Sequence, residues 1–102
     1  MTFRVVIEEQ AEREFVEAVN FYDARKAGLG QRFARDVRAF FEKVRQRPQR
    51  FALASRMTRK AKAPKPWPYS IYFTIKPESS EVIINAIWHS SRNPTELRRR
   101  LN

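Results

Sequence analysis

The stretch that decides the fold is residues 69–89, which read YSIYFTIKPESSEVIINAIWH. Its first seven residues alternate between an apolar set and a more polar set, and most are β-branched or aromatic, as in a strand with one buried face. After the polar turn cluster KPESS, the run Val82–Trp88 carries apolar residues on both alternations, as a strand buried on both faces does. The sequence therefore predicts two paired strands, the second of them central in its sheet.

A short strand and two helices are predicted before this hairpin. Phe3, Val5 and Ile7 alternate with more polar neighbours, which indicates a first strand with those three side chains inward. From Glu8 the apolar period becomes helical and lasts until the segment AGLG at 27–30, whose glycines suit a helix C-cap and a tight helical hairpin. A second helical stripe then runs from Leu29 until proline 48 stops it.

The remaining segments are less regular. Residues 56–63, RMTRKAKA, predict a strand whose outward side chains are mostly basic, and residues 95–101 predict a short terminal helix. The order of elements indicates an α+β protein, in which an N-terminal strand and an antiparallel helical hairpin pack with a mainly antiparallel three- to four-stranded sheet. The hairpin covers one face of that sheet, and we expect the opposite face to be open.

Composition limits the classes of protein that the chain can belong to. A length of 102 residues predicts one domain spanning 1–102. The absence of cysteine excludes disulfides and thiolate metal sites, and a single histidine excludes a His–His metal site, so we expect neither a metal nor a cofactor. No apolar run approaches the ~20 residues that span a bilayer. We therefore expect a soluble cytoplasmic protein with no membrane partner.

The net charge of +10 is concentrated in the middle of the chain. Residues 43–67 contain nine basic residues and no acidic one. Such a block either is a solvated basic face or meets an anionic partner, nucleic acid or an acidic protein. Within it, Arg56, Arg59, Lys60 and Lys62 are spaced loosely enough to line one strand face, where Tyr72 could add a stacking surface.

A polar corner, SSRNP, follows the central strand at residues 90–94. His89 at the strand end could be a structural hydrogen-bonding group, or it could act as a general acid or base because its pKa is near neutrality. Arg92 could offer a bidentate fork to a phosphate or a carboxylate, or it could anchor the turn.

The chain resembles the RelE/ParE toxin superfamily of bacterial type II toxin–antitoxin systems, and it is nearer the ParE branch. The resemblance extends from about residue 3 to residue 100, and it rests on the order and spacing of five short motifs. These are FY at 21–22, GLGxxF at 28–33, RP at 47–48, PYxIY at 68–72 and IxHxxRNP at 87–94. It implies a small basic cytoplasmic toxin that is neutralised by a cognate antitoxin, whose C-terminal segment wraps the toxin and orders on binding.

The two branches of the superfamily differ in target. RelE-like members resemble ribosome-dependent nucleases that cut mRNA without metal, using basic side chains on the open sheet face and a late tyrosine or histidine. ParE-like members instead poison DNA gyrase and are not known as nucleases. This chain has no tyrosine after Tyr72, which weakens the nuclease interpretation.

The sequence therefore predicts a gyrase-binding toxin, with a ribosome-dependent mRNA interferase as the alternative. Under the alternative, His89 and Arg92 are the catalytic candidates. Under either hypothesis, the candidates for target or nucleic-acid binding are Arg56, Arg59, Lys60, Lys62, Tyr72, Arg98, Arg99 and Arg100. The third class considered is a nucleic-acid-binding module without toxicity.

Overall fold

The computed structural model describes residues 2–101, which form four strands, three α-helices and two short 3-10 turns. The strands are β1 (Arg4–Ile7), β2 (Thr58–Lys62), β3 (Tyr69–Lys76) and β4 (Glu81–His89). The helices are α1 (Glu9–Arg25), α2 (Leu29–Gln46) and α3 (Pro94–Leu101), and the 3-10 turns are Pro48–Arg50 and Pro77–Ser79. The predicted α+β architecture is confirmed. Among residues 2–101, no helix is both long and apolar enough to cross a lipid bilayer.

The four strands form one mixed sheet in the order β1-β4-β3-β2. The predicted hairpin is present, because β3 and β4 are antiparallel with Tyr69 opposite His89 at one end and Lys76 opposite Glu81 at the other. β1 lies parallel to β4 on its other side, and β2 lies antiparallel to β3 at the far edge. The central position predicted for β4 is therefore confirmed.

The α1–α2 hairpin packs on one face of the sheet and forms the main core. Fully buried side chains from both layers meet there, among them Phe33 of α2 and Ile71 and Phe73 of β3. Gly28 has a φ of 87°, the left-handed conformation that lets the chain turn between the helices. Gly30 lies within α2, where a Cβ would clash with the carbonyl oxygen of Val19, so the glycine allows the two helices to approach closely.

A β-bulge in β4 explains why that strand is apolar on both alternations. Tyr72 of β3 pairs with Ala86 whereas Phe73 pairs with Ile84, so Asn85 is an extra residue on β4. Before the bulge, the even-numbered Val82 and Ile84 join the helix-side core; after it, the odd-numbered Ile87 does so. The even-numbered Ala86 and Trp88 then face the other side, where they form a second apolar cluster.

Helix α3 covers part of the sheet face that the sequence suggested would be open. Its Leu97 is buried against Ala86 and Trp88, and Leu101 and Tyr72 pack against the same cluster. The expectation of a fully open face is wrong because α3 is amphipathic and needs a surface for its apolar side. What stays open on this face is its β2 edge.

The predicted basic strand is shorter than expected. β2 begins at Thr58, so Arg56 and Met57 lie in the preceding turn. Residues 52–54 approach β2 from its outer side, with Leu53 bridged to Arg59 and the Lys60 N–H donating to the Ala52 carbonyl at 3.1 Å. A tight turn, here called the hairpin tip (residues 53–57), therefore projects at the start of β2.

Candidate functional site

Two lysines and a tyrosine lie together on the sheet face away from α1 and α2. Lys60 and Lys62 are exposed on β2, and Lys60 pairs across the sheet with Tyr72. The Lys60 ammonium lies 5.9 Å from the centre of the half-buried Tyr72 ring. Arg56 is exposed in the hairpin tip that precedes β2. The structure thus places three of the basic and aromatic side chains singled out from the sequence on one face, with Arg56 in the adjoining turn.

Arg59 does not belong to this group. It alternates to the helix side of β2, opposite Phe73, and its guanidinium donates to the carbonyl of Phe51 at 2.7 Å and to that of Gln49 at 3.3 Å. These bonds tie the segment before the hairpin tip to β2. Arg59 therefore has a structural role at this position.

His89 lies on the helix-facing side of β4, at the end of the sheet where it pairs with Tyr69. Its Nδ1 accepts the Ser91 backbone N–H at 3.0 Å and lies 2.8 Å from the Ser91 hydroxyl, and its ring meets that of Tyr69 at 5.1 Å edge to face. Burial, with Tyr22 beside it, raises the pKa of the Tyr69 hydroxyl, which is therefore neutral near pH 7.

The bulge at Asn85 separates His89 from the basic face. If β4 were regular throughout, its odd-numbered residues, including His89, would all lie on the face of Lys60 and Tyr72. The bulge reverses the alternation after Asn85, so His89 points towards α1. There it lines a surface cleft of about 580 Å³ together with Phe21 and Glu17 of α1. The candidate acid or base and the lysines of β2 thus lie on opposite faces of one sheet, whereas Arg92 lines the same cleft as His89.

A largely buried carboxylate, that of Glu14 of α1, joins α1, β4 and α3. Its Oε2 accepts from Arg92 at 2.9 Å and from Arg100 at 2.7 Å, and its Oε1 accepts from Arg100 at 3.0 Å and from the Ile87 N–H at 3.0 Å. Arg100 also donates to the Asn85 carbonyl at 2.6 Å. Since β1 ends at Ile7, these bonds satisfy the edge of β4 that β1 leaves uncovered.

Burial alone would raise the pKa of Glu14, but the hydrogen bonds from Arg100, Ile87 and Arg92 outweigh it and hold the pKa below its usual range. Glu14 is thus an anion at neutral pH, paired with two arginines. The Arg92 guanidinium also lies 3.8 Å from the centre of the Trp88 ring. Arg92, predicted as a phosphate or carboxylate ligand, thus donates one hydrogen bond to Glu14, and its side chain stays 43% exposed and lines the His89 cleft.

The three arginines of the C-terminal arm have different environments. Arg100 is held by Glu14 and is only 17% exposed, whereas Arg98 and Arg99 are exposed. Arg98 lines a groove of about 430 Å³ between α3 and the hairpin tip, with Tyr72 and Lys60 on its other side. None of the described residues that line this groove is acidic.

Sequence reasoning missed the roles of Glu14 and of the hairpin tip. Glu14 was grouped with the helix-start carboxylates, although its spacing from Ala11 and Ala18 places it on the buried stripe of α1, which was the available signal. Among residues 2–101, no group of three or more His, Cys, Asp or Glu side chains is placed to hold a metal ion.

Residues 5–94 match the family described as the ParE toxin of type II toxin–antitoxin systems, parDE. The chain belongs to this family. The match covers most of the chain and includes the helical hairpin, the sheet and the SSRNP corner. A search of curated proteins finds no match.

Solved structures confirm the fold. The chain is similar to a protein of the chromosomal ParDE toxin–antitoxin system from P. aeruginosa, with a TM-score of 0.74 and 15% identity over 86% of this chain and 96% of that one. It is also similar to the isolated E. coli RelE toxin, with a TM-score of 0.65 and 17% identity over 98% and 99% of the two chains. The chain is similar as well to a mutant of E. coli RelE in the free state, with a TM-score of 0.64 and 12% identity over 98% of this chain and 94% of that one.

Proposed function

We propose that this ParE-type toxin inhibits growth by binding and poisoning DNA gyrase, and that a cognate antitoxin neutralises it. Family membership supports the toxin role. The observation that carries the choice of target is the bulge at Asn85, which turns His89 away from Lys60, Lys62 and Tyr72. The cleft of His89 contains Arg92, but it also contains the carboxylates of Glu14 and Glu17, which repel a phosphate. The exposed cations lie on the other face of the sheet, so the basic face acts by binding.

Two observations support the part of the proposal that concerns the antitoxin: the similar P. aeruginosa structure and the net positive charge of the chain. The similar P. aeruginosa structure is of a ParDE toxin–antitoxin system. A chain with a net charge of +10 favours an acidic partner, whose flexible segment can gain affinity by ordering along it. The cleft beside Phe21 offers such a segment a partly apolar surface.

An mRNA interferase is the alternative, and one observation favours it. Lys60, Lys62 and Arg98 share a face and could hold a ribose-phosphate backbone, as basic side chains do in the RelE-like branch. Tyr72 suits base stacking poorly, because it is half-buried against the apolar cluster under α3 and lies beside the Lys60 ammonium.

The experiment that tests the proposal places the purified toxin in two parallel assays. One measures gyrase supercoiling of relaxed plasmid, and the other maps mRNA ends after in vitro translation. Lost supercoiling or accumulated cleaved plasmid, with intact message, is the expected result. Cuts in ribosome-bound message with normal supercoiling would establish the nuclease alternative.

A His89→Gln variant tests the chemistry within the same assays. If the protein were a nuclease using His89, this change would lower cleavage by a factor of about 100 or more. We expect no loss of gyrase inhibition, because His89 faces the α1 cleft.

The C-terminal arm is better tested by Arg98→Ala with Arg99→Ala than by deleting residues 95–102, since deletion would also uncover Trp88 and Ala86.

A further inference from the structure

The hairpin tip carries two of the most exposed large apolar side chains among the described residues. Leu53 is 57% exposed and Met57 is 66% exposed, and both belong to the same five-residue turn. A single exposed apolar residue needs no explanation, but two on one projecting turn indicate a contact surface. Neither takes part in the two buried clusters of the protein.

The tip is held in place, so its exposed side chains are presented in a fixed position. The Thr58 carbonyl accepts the N–H groups of Ala54 at 2.8 Å and Ser55 at 3.2 Å, which closes the turn. Arg59 fixes the base of the tip through its bonds to Gln49 and Phe51. A preorganised apolar projection loses little conformational entropy when it binds.

The surroundings of the tip are basic. Arg56 lies within it, Lys60 follows it on β2, and Arg98 faces it across the groove beside α3. Ala54 and Ser55 form the tip's side of that groove. The partner surface must therefore combine an apolar recess with carboxylates around it.

We infer that the hairpin tip docks into an apolar, acid-rimmed recess on the folded protein that is the toxin's growth target, with Leu53 and Met57 as its anchors. This rests on the proposed function and locates the target contact within it. A projecting turn fits a concave, preformed pocket, whereas an antitoxin segment that orders as it wraps needs a groove or a free strand edge.

A second exposed apolar position supports the division between two partners. Val16 and Phe21 of α1 are also exposed, at 46% and 50%, and Phe21 lines the cleft beside His89. That cleft lies near the Tyr69–His89 end of the sheet, whereas the tip lies near the Thr58–Thr74 end. The antitoxin can occupy the first surface and leave the second unchanged.

The test compares two double variants. The tip variant combines Leu53→Ser and Met57→Ser, and the matched control combines Val16→Ser and Phe21→Ser. Each is expressed without antitoxin to score growth arrest, purified for gyrase supercoiling, and titrated with the cognate antitoxin. The tip variant should lose growth arrest, inhibit gyrase about tenfold or more weakly, and bind antitoxin as wild type does. The control should retain growth arrest and gyrase inhibition.

Two outcomes would overturn the inference: a tip variant that arrests growth as wild type does, or one that loses antitoxin binding, which would assign the tip to the antitoxin. If wild-type toxin arrests growth without inhibiting gyrase, the gyrase proposal fails, and growth arrest by the two variants still decides the role of the tip. Arg56→Glu provides a second variant in case the double variant does not fold, and it should also abolish growth arrest.

Discussion

The arginines at the α1–α3 junction and the cations around the hairpin tip look alike in sequence but do different work. At the junction, Arg92 and Arg100 share the buried Glu14, and Arg100 is mostly withdrawn from solvent. At the tip, Arg56 and Lys60 form no ion pair with any residue in the range 2–101. The first group stabilises the fold, whereas the second leaves its charge available to a partner.

This difference shows that a count of basic residues does not identify a binding surface. A guanidinium that is paired with a largely buried carboxylate through two hydrogen bonds, as Arg100 is with Glu14, contributes little to the field outside the protein. An exposed, unpaired cation keeps its field and is screened only by salt. The candidate target surface is therefore smaller than the charge of +10 suggests, and it centres on Arg56, Lys60, Lys62 and Arg98.

The largest effect is expected from Glu14→Gln. This change leaves the mostly covered guanidinium of Arg100 without its counter-charge and weakens the acceptor for the Ile87 N–H, so the free energy of unfolding should fall by about 2–3 kcal/mol. Urea denaturation followed by circular dichroism measures it. Glu17→Gln, at an exposed position one turn later in the same helix, is the control and should change stability by less than about 0.5 kcal/mol. If the two variants lowered the free energy of unfolding equally, the ion pairs of Glu14 with Arg92 and Arg100 would not be a special source of stability.

The pH dependence of stability should depend on Glu14 as well. Its pKa in the folded protein is held below the usual range of a glutamate, so its contribution is complete above about pH 4.5 and is lost as the pH falls through the folded pKa. We expect the difference in unfolding free energy between wild type and Glu14→Gln to be constant from pH 6 to 7 and to shrink below about pH 4.5. Urea midpoints from pH 3 to 7 measure it. A difference that grew with falling pH would contradict the assignment.

The fold was predictable from local pattern, but the geometry of the candidate site was not. The alternation in Tyr69–Ile75 and the helical stripes gave the hairpins because each depends on near neighbours in sequence. The sheet face on which His89 lies depends on one extra residue, Asn85, and no pattern of apolar and polar residues marks this bulge in the sequence. A continuous apolar run such as Val82–Trp88 reads the same with or without a bulge.

The roles of individual arginines could not be predicted for a related reason. Whether Arg59 and Arg100 are free depends on groups distant in sequence, the carbonyl of Phe51 and the carboxylate of Glu14. The alternation along β2 separates Arg59 from Lys60, but it does not say which of the two faces has an acceptor. Only the tertiary arrangement decides that.

A smaller effect on stability is expected when Arg59 is replaced. Arg59→Met keeps the aliphatic contact but removes the bonds to Phe51 and Gln49, which should lower the free energy of unfolding by about 1–2 kcal/mol. Arg56→Met, in the same segment and fully exposed, should change it by less than about 0.5 kcal/mol. Thermal unfolding of the two variants beside wild type makes the comparison. If Arg56→Met were the more destabilising, the division of this basic segment into structural and free cations would be wrong.

The smallest effect on stability, and a larger one on function, is expected when Lys60 and Lys62 are both changed to Gln. Their side chains lie in solvent on the open edge of the sheet, so the free energy of unfolding should stay within about 0.5 kcal/mol of wild type. Inhibition of gyrase should weaken at low salt, and the variant should approach wild type as salt rises, since salt screens what these charges contribute to binding. The measurement is the toxin concentration for half-inhibition of supercoiling at about 50 and about 200 mM salt. Equal weakening at both salt concentrations would mean that the lysines act by direct packing. The difference between these lysines and the arginines of the junction would then not be that one group has unpaired charge and the other has paired charge.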